Sequence, residues 1–224
     1  MKRAPRIVIT GSGAICAAGR TPEQIFDALI EGRSAIGPIR GWDASSWPSR
    51  NAAEIVDLDL RSLVPDRKLL KLIRRSDVLG INAASQALLA SGLPAWRDAR
   101  SEEERSAISD RIGMYVGSGG GNFESQYDYF PLLDEADGDL QKFGSELAAT
   151  VNPMWLLRSL PNNVLCHVGI LYGLKGTNAC ITNHSISGAL AIVETMAGLR
   201  AGEADRAIAI GHEAPIEPQN VVYY

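Results

Sequence analysis

Residues 173–192 read GLKGTNACITNHSISGALAI. Gly and Lys turn residues lead into a short apolar segment (Ala179, Cys180, Ile181). A polar corner follows (Thr182, Asn183, His184, Ser185), and an amphipathic helix continues from it. A strand, a corner and a helix in that order can present one side chain at a helix start. The helix is predicted because Ile186, Leu190, Ile192, Val193, Met196, Ala197 and Leu199 recur at three- and four-residue spacing until Gly202 stops them. Ser187, Gly188, Ala189 and Ala191 make its early turns small, so another backbone can approach closely and the helix is expected to be buried against a partner element.

Working outward, four segments have strand character: RIVIT at 6–10, IGMYVG at 112–117, NACI at 178–181 and RAIAIG at 206–211. Helical patterns separate them. One is expected from about Thr21, as N-cap, to Leu29, ending at Gly32. A long one is expected from Lys68 to Leu93, ended by Gly92, and shorter pieces over 143–150 and 153–160. Strands alternating with helices predict an α/β fold with layered helices on a mainly parallel sheet, since a parallel neighbour needs a crossover. Residues 42–65 are polar and irregular, with IVDLDL at 55–60 as a possible short strand, and 94–110 are charged and expected to be solvated.

With 224 residues, 46% of them hydrophobic, the chain can bury a sizeable core as one domain or a large half-domain. Its net charge of −4 and dispersed basic residues exclude an electrostatic footprint for nucleic acid. No apolar run reaches membrane-spanning length and no signal-type segment precedes the first strand pattern, so a cytoplasmic protein without membrane association is expected. Cys16, Cys166 and Cys180 have neither framework nor metal spacing and are expected to be buried free thiols. GSGAIC at 11–16 lacks the third glycine of a dinucleotide fingerprint, and 117–121 lack the Lys-Ser/Thr of a phosphate loop. Tight turning or close backbone approach accounts for these glycines, and neither a cofactor nor a metal is expected.

GLKGTN at 173–178, SGALAI at 187–192, GEAD at 202–205 and IAIGHEA at 208–214 together resemble the active-site segment of the β-ketoacyl-acyl-carrier-protein synthases, condensing enzymes of fatty-acid and polyketide synthesis with the thiolase fold. VITGSGAI near the start and LPNNVLCHVGILYGLKG at 160–176 are similar to further stretches of that family. The resemblance implies a thiolase-like domain over residues 1–224, the first of the family's two half-repeats. It also implies acyl carrier protein as a partner, and a homodimer or a heterodimer with a ketosynthase-like chain. The family's nucleophilic cysteine falls on Ser185, and its two catalytic histidines belong to a C-terminal half not found in these residues.

Serine is a weak nucleophile unless a base removes its proton. His184 is adjacent in sequence, and neighbouring side chains at a helix start point apart. His167 and His212 fall on positions that the resemblance makes non-catalytic, so packing or hydrogen bonding is expected of both. HSISG lacks the leading glycine of a hydrolase elbow. Without the resemblance, Ser185 reads as an N-cap. Three functions stay open: an acyl-thioester-handling protein whose condensation is impaired or depends on another chain, a non-catalytic partner comparable to chain-length factors, and a serine-dependent acyl hydrolase.

Overall fold

The computed structural model describes residues 6–119 and 129–221. After an extended segment, α1 (Pro22–Ile30) starts at Thr21, whose side chain accepts the Gln24 N–H. A small antiparallel ribbon pairs β1 (Gly37–Pro38) with β2 (Asn51–Ala52). α2 (Arg75–Ala90), α3 (Leu93–Asp98) and α4 (Glu102–Ser109) lead into β3 (Ile112–Ser118). Then come α5 (Phe130–Glu135), α6 (Leu140–Thr150), α7 (Trp155–Ser159), α8 (Asn163–Tyr172), β4 (Asn178–Thr182), α9 (Ser187–Ala201), β5 (Arg206–His212) and α10 (Pro218–Val221).

The main sheet has the order β4-β3-β5, and both pairings are parallel. All seven residues of β3 are buried, as a central strand covered on both faces requires. On one face, Val78, Ile81, Ala84 and Leu88 of α2 and Val164 and Val168 of α8 pack with Ile112, Met114 and Val116 of β3 and Ile208 and Ile210 of β5. On the other face α9 crosses β3 and β5. The expected α/β layering and parallel sheet are therefore present. Among the described residues no helix is long and apolar enough to cross a membrane.

Residues 6–10 have the composition of a strand but pair with neither open edge of the sheet. Val8 and Ile9 are 65% and 90% exposed. A strand exists only where a neighbour completes its hydrogen bonds, which composition does not supply. Two glycines instead dock the following residues on α2: a Cβ on Gly11 would lie 2.6 Å from the Ser91 nitrogen, and one on Gly13 2.7 Å from the Ala87 nitrogen. Residues 55–60 likewise form no strand. The helix expected from Lys68 begins at Arg75, after a 3-10 turn at Arg67–Lys71, because Arg74 is extended and its N–H is taken by the Asp77 carboxylate. Within the charged stretch at 94–110, Ser101 and Glu104 cap one another and open α4.

α9 lies against the sheet through its small residues, as their allowance for a close backbone approach predicts, and its larger apolar side chains lie on the other side. Ser187, Ala191, Thr195 and Gly198 face the sheet, while Ile192 and Val193 are 55% and 56% exposed. The sheet beneath α9 carries glycines and Tyr115, leaving room only for small side chains. A Cβ on Gly198 would run into the Tyr115 hydroxyl.

Candidate functional site

β4 delivers the chain to the C-terminal edge of the sheet, where a 3-10 turn at His184–Ile186 connects it to α9. The corner is closed by Ser187, not by Ser185. Ser187 Oγ accepts the Asn183 N–H at 2.7 Å and donates to the His184 carbonyl at 2.8 Å, and the side chain is 2% exposed. His184 adopts φ 47°, a left-handed conformation uncommon for a residue with a side chain. α9 can start this close to the sheet because a Cβ on Gly117 would collide with the Ser187 carbonyl, and one on Gly211 would lie 3.1 Å from Gly188 Cα. Gly117 and Gly211 are neighbours in register, so the start of α9 rests on a two-glycine platform. This bears out the close-approach reading of Gly117; residues 120 and 121 lie outside the described residues.

Ser185 thus stands at a strand-to-helix junction, exposed, with no hydrogen bond to its hydroxyl among the described residues. The N-cap reading of Ser185 is corrected: no side chain caps the first turn of α9. Ser185 and His184 line a cleft of about 1600 Å³ along the C-terminal edge of the sheet. Gly117–Gly119, His212 and Glu213 border it, as do Arg74 and Arg75 at the start of α2. Its far wall is residues 13–17, held to α2 by Gln86, which accepts the Ala14 N–H and donates to the Arg20 carbonyl.

His212 ends β5 with its side chain on the α2 face of the sheet, opposite α9. A Cβ on Gly80 would lie 2.9 Å from its own Cβ. Its ring nitrogens are shielded, and the Ser76 backbone beside them does not complete a hydrogen bond of good geometry. Packing, then, is the observed role, and the expected alternative of hydrogen bonding is not. Burial pushes the imidazole below its ordinary pKa against the opposing pull of Asp77 and Glu213, with Arg74 adding to the depression. His167 on α8 is lowered by burial too, again opposed by Asp77.

Sequence reading passed over Asp77. It is fully buried, yet its carboxylate accepts from the Arg74 N–H at 2.9 Å, the Arg74 guanidinium at 3.4 Å and the Asn163 amide at 3.2 Å. The charge therefore ties the starts of α2 and α8 together under the cleft. Its only sequence signal was an acid three residues after Arg74 at a helix start. Among the described residues no group of three or more His, Cys, Asp or Glu is placed to hold a metal ion.

A parallel sheet with helices on both faces, and a strand-corner-helix junction over its C-terminal edge, defines a thiolase-like α/β unit. The model of the family "Beta-ketoacyl synthase, N-terminal domain" matches residues 4–224, and the chain belongs to that family. It is 31% identical over 216 residues to 3-oxoacyl-[acyl-carrier-protein] synthase 2 of Coxiella burnetii, covering 96% of this chain and 47% of that protein. To nodulation protein E of Rhizobium sp. (strain N33) it is 31% identical over 211 residues, covering 94% and 47%. The chain spans about half the length of the curated relatives it matches. Among solved structures, the ishigamide ketosynthase/chain length factor superposes with a TM-score of 0.70 at 20% identity, covering 96% of this chain and 49% of that one. A type II PKS acyl-carrier protein in complex with its ketosynthase bound to the hexaketide gives 0.69 at 20%, covering 95% and 52%. At these identities the structural likeness establishes the fold.

Proposed function

We propose that this chain is a β-ketoacyl synthase-like unit of fatty-acid or polyketide biosynthesis that handles acyl-carrier-protein thioesters, with condensation impaired or dependent on another chain. The observation that carries this reading is the state of Ser185. It stands exposed at the junction where the family resemblance puts a nucleophilic cysteine, in a cleft, with no base bonded to it. A hydroxyl without a base is a poor acyl acceptor. Of the three histidines, His212 projects on the opposite face of the sheet from α9, His167 lies on α8, and His184, next to the serine in a turn with a left-handed backbone, makes no hydrogen bond to it among the described residues.

A second reading, a non-catalytic chain-length-factor-like partner of a ketosynthase, is favoured by the exposed apolar residues next to the corner, Ile186, Ile192 and Val193, which suit a partner chain. The serine-dependent hydrolase is the least supported, because among the described residues none is hydrogen-bonded to the Ser185 hydroxyl. The test is Ser185→Cys with an acyl thioester followed by intact-mass measurement, alone and with a ketosynthase-like partner. The expected result is acylation of the variant without condensation of a malonyl thioester, since groups that act as a unit do not contribute additively. Full condensation by the variant alone would overturn the dependence on another chain. No acylation, together with loss of a partner ketosynthase's activity when this chain is omitted, would select the second reading.

A further inference from the structure

The turn at 136–139 joins α5 to α6, and at its middle stands Asp137-Gly138, the one Asp-Gly pair of the chain; the sequence has no Asn-Gly pair. Asp137 follows the C-cap of α5 with φ 48°, a left-handed conformation in which helices commonly end on glycine, and Gly138 continues with φ 82°. Both residues are exposed, and a Cβ on Gly138 would meet nothing within 4 Å. The hydrogen bonds of the turn pass by the two groups that matter here. The Asp137 N–H donates to the Asp134 carbonyl at 3.1 Å and the Asp139 N–H to the Ala136 carbonyl at 2.9 Å, while Lys142 Nζ donates to the Glu135 carbonyl at 2.7 Å. Among the described residues, the Gly138 N–H and the Asp137 carboxyl group have no hydrogen-bond partner.

We infer that Asp137-Gly138 is a site of spontaneous backbone modification, where the chain isomerises through a cyclic imide to isoaspartate. The inference does not rest on the functional reading above. The Gly138 nitrogen attacks the carboxyl carbon of the Asp137 side chain. A C–N bond forms, the nitrogen's proton and the carboxyl OH leave together as water, and a five-membered succinimide remains. Water then adds to the ring. Opening at the side-chain carbonyl restores aspartate; opening at the main-chain carbonyl breaks the original peptide bond and leaves the chain running through Asp137 Cβ and Cγ, with a free α-carboxylate. One water is lost and one regained, so the mass is unchanged. The reacting atoms belong to adjoining residues, so local rotations about the Asp137 side chain and carbonyl bring them together, and Gly138 has no side chain to obstruct the ring. Two other aspartates lack this combination. Asp139 is engaged as the N-cap of α6, its carboxylate accepting the Gln141 and Lys142 N–H groups at 2.9 and 3.1 Å. Asp57 has a similar left-handed φ of 52° but is followed by Leu58, whose side chain crowds the attacking nitrogen. The extra main-chain carbon at residue 137 would lengthen the joint between α5 and the Asp139 cap.

The test incubates the full chain at neutral pH and physiological temperature and follows it by peptide mass spectrometry. The expected product is a growing fraction of the Asp137 peptide with unchanged mass and shifted elution, preceded by a species lighter by one water. Asp-N protease should no longer cut this fraction before residue 137, and protein isoaspartate methyltransferase should methylate it. Cleavage before Asp57 and Asp139 should be unaffected. Asp137→Glu, whose longer side chain would need a larger ring, should abolish the product, and Gly138→Ala should slow it several-fold. A synthetic peptide of residues 130–142 supplies the rate of the same pair without the fold, and the folded chain is expected to react within a few-fold of it. A folded chain that stays unmodified while the peptide reacts would overturn the inference. So would equal isomerisation at Asp57 or Asp139, or a product undiminished in Asp137→Glu or Gly138→Ala.

Discussion

Gly117 of β3 lies so close beneath Ser187 of α9 that a Cβ added to it would lie 2.5 Å from the nitrogen of Gly188 and collide with the Ser187 carbonyl. The obstacle is backbone on both sides of the contact, which cannot swing away as a side-chain tip can. Gly117→Ala is therefore expected to destabilise the fold by about 1–3 kcal/mol, as overpacking does, read as a lower urea midpoint. Gly144 is the matched control. It lies inside α6, and an added Cβ there meets nothing within 4 Å. Gly144→Ala is expected to gain up to about 1 kcal/mol through helix propensity.

Ser185 and Ser187 differ by two positions and should differ sharply in stability effect. Ser187→Ala leaves the Asn183 N–H and the His184 carbonyl without partners, a cost of about 1–3 kcal/mol. Ser185→Ala removes no hydrogen bond among the described residues and should stay within about 0.5 kcal/mol of the parent. Thermal denaturation of both variants checks the contrast; equal losses would mean that Ser185 also holds the corner.

Asp77 is the most exposed to disruption of the buried polar residues. Asp77→Ala strands the Arg74 guanidinium and the Asn163 amide away from water, which should cost about 3–5 kcal/mol. A variant that loses less than about 1 kcal/mol in urea denaturation would show that the group carries little of the join between α2 and α8.

Stability should depend on pH through the partly buried histidines His167 and His212. His212 is held neutral below its ordinary pKa of 6.5 by burial, so between that value and its depressed folded value the unfolded chain binds more protons than the folded one. Stability is then full above the unfolded pKa and falls as pH drops through this window, by at most about 1.4 kcal/mol per pH unit for one proton. His167 contributes with the same sign. His212→Gln should flatten part of the slope measured by urea denaturation from pH 7.5 down to about pH 5; an unchanged slope would assign it to His167 and the carboxylates.

Ile192 and Val193 lie exposed on the outer side of α9. The isolated chain is expected to self-associate, and light scattering at micromolar concentration should report more than a monomer. Replacing both residues with Glu and Lys is expected to lower that mass. A well-behaved monomer from the parent would remove this helix face as an association surface.

Several elements were determined by sequence because their causes are local. Thr21 before Pro22 starts α1, glycines with left-handed φ follow α1, α2, α8 and α9, and the NACIT run leads into the Ser185 corner. Chain order likewise implied the parallel pairing of β3 with β4 and β5, since each is reached through a helical crossover. What depended on contacts between distant segments was decided only by the tertiary structure. RIVIT has a strand's composition but no neighbour to complete its ladder. The apolar stripe of α9 faces outward because Gly117, Gly211 and Tyr115 leave space beneath the helix for nothing larger than Ser, Ala, Thr or Gly. Capping of the corner passed from Ser185 to Ser187 because only Ser187 is buried where the Asn183 N–H and His184 carbonyl converge. Asp77 is polar in any sequence reading, and its burial is tolerable only because Arg74 and Asn163, the latter 86 positions away, bring their hydrogen bonds to it.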